Sequence, residues 1–112
     1  MRIAGLCLLV LSAATIAACS DSTGGSTGGR GNAITVSNNS FNPNPDTATA
    51  GVVTFTWSNA SNSHNVTWLT GPSTPASSGT MTTGTHQVTL QLGTYTYHCT
   101  LHQGMNGTIV VE

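Results

Sequence analysis

Cys99, His102 and Met105 follow one another at intervals of three residues near the end of the chain, in the segment YTYHCTLHQGMNGTIVVE, residues 95–112. On a tight turn, side chains at that spacing can converge on one point. A thiolate and an imidazole are ligands for copper or zinc, and a thioether beside them favours copper. Three ligands from one loop leave a side open, so a fourth must come from elsewhere. The other histidines are His64, His86 and His98. His98 precedes Cys99 directly, so strand parity turns it to the opposite face. His86 begins a candidate strand after a long loop, and His64 sits where a polar turn enters another. Position in the chain favours His64 over His86 and leaves both open. Met81, in a loop of Thr and Gly, is the other conceivable thioether.

The elements that must position these residues are strands. Thr, Val, Ser, Asn and Gly dominate, no window carries a helical stripe, and short alternating segments recur between turn signals. Expected strands are Ala33–Val36, Val52–Trp57, Asn65–Trp68, Gln87–Leu92, Thr94–Cys99 and Thr108–Val111. Val88, Leu90 and Leu92 would share an inward face. Phe41–Pro45 should interrupt any ladder, because proline cannot donate. Residues 71–84, rich in Thr, Ser, Pro and Gly, read as a long loop. Six or seven strands with one apolar face predict an all-β fold, a small Greek-key sandwich or barrel. In Thr94–Cys99 the period of two puts Tyr95, Tyr97 and Cys99 inward and Thr94, Thr96 and His98 outward. Trp57 and Trp68 read as core or rim aromatics.

The chain has 112 residues. Met1-Arg2 and the apolar run Ile3–Ala18 have the form of a secretory signal, too short for a comfortable membrane span. Its last residues, Ile16-Ala17-Ala18-Cys19, resemble the lipobox of bacterial lipoproteins, which implies cleavage after residue 18 and a lipidated Cys19. Dual or triple acylation would hold the protein at a membrane of the cell envelope, facing the periplasm or the exterior. SDSTGGSTGGRG, residues 20–31, reads with Cys19 as a flexible tether (residues 19–31) spanning about 20 Å as a coil. The domain then covers residues 32–112, small enough to need help with stability. Disulfides cannot supply it. Cys7 lies in the signal and Cys19 is the lipid site, which leaves Cys99 alone, a reactive liability in an oxidising compartment unless a metal occupies it.

Residues 32–112 contain Asp46 and Glu112 and no Lys or Arg. Nucleic-acid binding through phosphates is thereby excluded, as is strong electrostatic steering to a charged partner.

The segment YTYHCTLHQGMNGTIVVE resembles the C-terminal signature of the cupredoxins, the blue copper proteins of the plastocyanin and azurin group, with the short C-x-x-H-x-x-M ligand loop of the amicyanin-like members. SFNPNPDTATAGVVTFTWSNASNSHNVTW is similar to the family's first strands and its segment around the first ligand. Matched residue by residue, the resemblance implies that His64, Cys99 and His102 are the strong copper ligands and Met105 the weak axial one. It further implies that Asn65 stitches the first ligand's strand to the Cys loop, that Tyr95 is a tyrosine corner, and that Tyr97 is a core aromatic beside the site. His86 and His98 then remain surface residues. Leu101 stands where amicyanin-like loops often carry proline, and Leu69–Thr85 has no ligand-like pattern.

The implied function is one-electron transfer through a single copper ion, with no enzymatic activity, by a monomer whose redox donor and acceptor dock transiently near His102. Copper delivery or storage is the alternative, and a metal-free structural sandwich the third reading. A delivery protein usually exposes its ligands and several methionines, whereas Cys99 is expected to be buried and only Met105 is suitably placed.

Overall fold

The computed structural model describes residues 29–58 and 60–112. The signal, Cys19 and most of the tether lie outside the described residues. No helix occurs among those described. Nine strands form two sheets: β1 (Gly29–Arg30), β2 (Ala33–Ser37), β3 (Ser40–Asn42), β4 (Asp46–Ala48), β5 (Gly51–Trp57), β6 (Thr67–Thr70), β7 (Gly84–Leu90), β8 (Gly93–His98) and β9 (Asn106–Val111). One sheet runs β1-β4-β9-β8-β6 and the other β3-β2-β5-β7. Both are mixed: β2 pairs parallel with β5, and β4 parallel with β1 and β9, while β8 pairs antiparallel with β6 and β9. The architecture is the expected all-β sandwich.

Alternation explains the core. Ile34, Val36, Val53, Phe55, Trp57, Tyr95, Tyr97, Ile109 and Val111 occupy every second position of their strands, and all are buried. Where the sheets face each other the space is filled by rings. Tyr97 meets Phe41, Phe55 and Trp68 at centroid distances of 4.7, 5.3 and 5.3 Å, and Trp68 also meets Tyr95 at 5.7 Å. Steep interplanar angles place ring edges on ring faces, each pair adding about 0.5–1.5 kcal/mol to simple burial. In a domain whose described residues hold no disulfide, this cluster carries much of the stability.

Several sequence expectations shift. Phe41 does not break the ladder: Ser40–Asn42 is a short strand paired with β2, and pairing stops only at the prolines. Asp46–Ala48, not foreseen as a strand, lies between β1 and β9. Gly29–Arg30 pairs with Asp46–Thr47, so regular structure reaches three residues above the expected boundary at residue 32. The strand after His64 starts at Thr67, not Asn65: the backbone of Val66 is taken by Ser78, its amide donating to Ser78 Oγ and its carbonyl accepting from Ser78 N. Leu92 is 65% exposed and does not join Val88 and Leu90. The ladder ends at Leu90, the Gln91 amide donates to the Tyr95 hydroxyl at 3.1 Å, and the chain turns through Gly93 at φ 136°.

The long loop after β6 is stitched down. Trp68 Nε1 donates to the Ala76 carbonyl (3.2 Å), Ser78 N to Val66 O (2.9 Å) and Ala60 N to Thr82 O (3.0 Å). The Tyr95 hydroxyl lies 3.2 Å from Ser73 Oγ and fastens the loop's beginning as well.

One close approach decides a residue. The phenol ring of Tyr97 lies directly on Gly107 of β9, where a Cβ would collide with ring carbons and the hydroxyl. Gly107→Ala should therefore force the central ring of the core off its neighbours and cost about 1–3 kcal/mol, as overpacking does. A urea titration checks this, and an unchanged midpoint would show that Tyr97 can move freely.

Candidate metal centre

Cys99 follows β8 directly and points inward, as Tyr95 and Tyr97 do before it; it is 2% exposed. The chain then turns back on itself. Cys99 N donates to Met105 O (2.9 Å) and Met105 N to His102 O (3.2 Å), closing a tight loop before β9 starts at Asn106. Gly104 takes φ 85° within it, a conformation that favours glycine. His102 is half-buried at the apex and Met105 is buried.

His64 arrives from the other side. It forms an isolated two-way bridge with Met81, His64 N to Met81 O and Met81 N to His64 O, both 3.0 Å. Its carbonyl also accepts from Trp57 Nε1 at 3.0 Å. The backbone is thus fixed from two directions and the imidazole is fully buried.

These elements bring three donor atoms together. His64 Nδ1 lies 3.1 Å from His102 Nδ1 and 4.0 Å from Cys99 Sγ, and Cys99 Sγ lies 3.6 Å from His102 Nδ1. Atoms bound to one ion at about 2.0–2.3 Å sit about 3–4 Å apart. In the metal-free protein a ring N–H or the thiol S–H can bridge these atoms as hydrogen bonds, and once all three give up those protons their lone pairs face one point that a cation can occupy. His64, Cys99 and His102 could hold a metal ion in this way. Burial lowers the His64 pKa from its ordinary value, with a smaller push from the charge of His102. Both effects favour the neutral ring that a metal requires. The sign follows: the folded metal-free protein binds fewer protons at His64 than the unfolded chain, so this contribution is present above the ordinary histidine pKa and lost as pH falls toward the lowered value.

The supports beside the cluster are specific. Asn65 Nδ2 donates to Thr100 Oγ1 (2.7 Å) while Thr100 N donates to Asn65 Oδ1 (3.1 Å), tying the residue after His64 to the residue after Cys99. Thr67 Oγ1 adds a third bond to Asn65 Oδ1 (3.1 Å). Asn65 was legible in the sequence. Thr100, Trp57 and the backbone of Met81 were missed as parts of the site; a hydroxyl residue directly after Cys99 was the available signal for the first.

The remaining histidines fall outside the cluster. His86 Nε2 bonds the Ala76 carbonyl at 2.8 Å. His98 points outward and lines a surface hollow of about 560 Å³ with Cys99, Thr100, His102, Gln103 and Asn106. A second hollow of about 400 Å³, on another side of His102, is lined by Asn39, Leu101, Gln103, Gly104 and Met105. No Asp, Glu, Lys or Arg side chain lines either one.

Comparison with known proteins places this geometry. A family model of the cupredoxin-like domain matches residues 5–111, and the chain belongs to that family. No curated protein sequence matches it. Among solved structures it is similar to a reduced and an oxidised mutant of amicyanin, at 27% and 26% identity, each with a TM-score of 0.58 over 71% of this chain and 80% of theirs. It is also similar to the copper-containing nitrite reductase of Thermus scotoductus SA-01, at 22% identity and a TM-score of 0.59. That match covers 71% of this chain but only 22% of the reductase, and at this identity it bears on the fold alone. Together with the family, the donor set of two nitrogens, one thiolate sulfur and a neighbouring thioether points to one copper ion.

Removing the tie beside the cluster should loosen the donors without deleting any. Asn65→Ala is expected to weaken copper affinity about 10–100-fold, the usual effect of losing such a support. Competition with a chromophoric chelator measures it, and unchanged affinity would mean that the sheets alone hold the donors.

Proposed function

We propose that the protein is a type 1 copper electron carrier in which His64, Cys99 and His102 bind the metal and Met105 is the weak axial ligand. The observation that carries this reading is the convergence of His64 Nδ1, His102 Nδ1 and Cys99 Sγ within 4.0 Å of one another at a buried point. When bound, copper supplies the one-electron couple. The chain's own contribution is to keep the donors in place. The bridge from Met81, the Trp57 hydrogen bond and the Asn65–Thr100 pair hold His64 and Cys99 whether or not the charge at the site changes. Little reorganisation accompanies electron transfer in a site so fixed. Amicyanin structures similar to this chain include both reduced and oxidised states, which supports a fold that serves both.

Burial of Cys99, His64 and Met105 keeps water from the donors and leaves no open position for a substrate, which argues against catalysis at this centre. It also argues against delivery, where ligands must be exposed for handover. His102 is the exception, half-buried between the two uncharged hollows, and is the route by which electrons would leave. Redox partners would dock there weakly, through Leu101, Gln103, Gly104 and Asn39. The lipobox-like segment ending at Cys19 supports attachment to a membrane of the cell envelope by a lipid anchor, with the domain acting as a monomer on its tether.

Cu(II) added to the purified protein should produce the intense visible absorption of a thiolate–copper bond, and Cys99→Ser should abolish it. A wild-type protein that binds Cu(II) without this band would sink the type 1 reading. Electron exchange with a partner should change little with added salt, because no Asp, Glu, Lys or Arg lines the docking face; a steep decline with ionic strength, followed by stopped flow, would disprove the neutral patch.

A further inference from the structure

Asp46 is a carboxyl group where the fold has no use for one. It points inward from β4, is 0% exposed, and neither of its oxygens has a hydrogen-bond partner among the described residues. The Tyr97 hydroxyl is buried and equally without a partner. The two belong to the same region. The Tyr97 ring lies over Gly107 of β9, while Asp46 pairs with Ile109, the next inward residue of that strand.

Beyond the Thr47 amide, which helps only in part, nothing nearby can compensate a negative charge. On the facing strands β2, β3 and β5 the inward residues are Ile34, Val36, Phe41, Val53, Phe55 and Trp57, none of them ionisable. From β8 come the tyrosines, and the Tyr95 hydroxyl is taken by Gln91 and Ser73. On β1 the guanidinium of Arg30, the sole one among the described residues, lies at the surface with Glu112, 3.2 Å away. His98 is on the outer face of β8, and His86 is bound to Ala76. A bare carboxylate in such surroundings would cost far more than the stability of a small domain; a buried acid takes up a proton instead.

We propose that Asp46 is held as a neutral carboxylic acid within the apolar core, so that folding takes up a proton and the fold loosens as pH rises. Burial raises the Asp46 pKa above its ordinary value, the Thr47 amide opposing only in part. Burial likewise pushes the Tyr97 phenol up, reinforced by Asp46, so the phenol stays protonated throughout. The folded chain therefore binds more protons at Asp46 than the unfolded chain. This stability is complete below the ordinary aspartate value near about 4 and is lost as pH rises through the folded-state value. The direction is opposite to that of His64.

Denaturant unfolding of the full chain from pH 4 to 9, for wild type, Asp46→Asn and Asp46→Leu, tests the proposal. His64 and metal-binding effects are common to all three and cancel in the ratio of folding constants. That ratio, variant over wild type, should grow roughly tenfold per pH unit through the window and level off beyond it. A flat ratio, or one growing toward acid, overturns the proposal. Should the variants fail to fold, infrared spectra of ¹³C-aspartate-labelled wild type decide, since the chain has only Asp21 and Asp46. A carboxylic-acid C=O band at pH values where free aspartate is ionised, retained in Asp21→Asn, is expected; carboxylate bands alone refute it.

Discussion

Two imidazole nitrogens and a sulfur, each able to offer a lone pair to the same point, do not gather of their own accord. Within 4.0 Å of one another they can share protons as hydrogen bonds, but once stripped of those protons for a metal they repel, and burial removes the water that would otherwise satisfy them. The protein holds this unfavourable constellation by attaching each donor to something already rigid. Cys99 extends a strand whose inward tyrosines are locked in the ring cluster. His64 is gripped through its backbone by Met81 and Trp57, so its position depends on the second sheet and on the long loop. Asn65 and Thr100 then join the two arms. The stability of the sandwich is thus put into donor positions, which is how a site acquires geometry before its metal.

The same logic explains the ligand loop. Its two internal backbone bonds make a compact turn, and glycine at 104 accepts the conformation the turn needs. Met105 is buried while His102 stays half-exposed at the apex of the loop. Burial of Met105 and partial exposure of His102 go with the same tight turn. With the cupredoxin-like family match and the likeness to amicyanin, they define what this end of the molecule is built to hold.

The opposite choice was made at Asp46. There a polar group sits among apolar ones with neither cation nor metal to justify it, and a proton is the remaining way to neutralise it. The chain's scarcity of charge, which keeps the surface around His102 neutral, also deprives the interior of any counter-ion. One compositional fact thereby shapes both the surface around His102 and the core.

Much of this was legible in the sequence because it depends on local period. Alternation placed Tyr95, Tyr97 and Cys99 inward and His98 outward, and the spacing of Cys99, His102 and Met105 announced a common loop. What the period could not show were pairings between distant segments. Phe41 looked like a ladder breaker until β2 lay beside it, and Leu92 looked like core until the Gln91 amide turned toward Tyr95. The residues alone left His64 and His86 open as the fourth candidate; the bridge to Met81 and the loop's hold on His86 separated them. The identities of Thr100 and Trp57 were plain, but their bonds to Asn65 and His64 exist only once the strands are assembled. Residue chemistry and spacing are properties of the chain, whereas a hydrogen-bond partner far along the sequence is a property of the packed sheets.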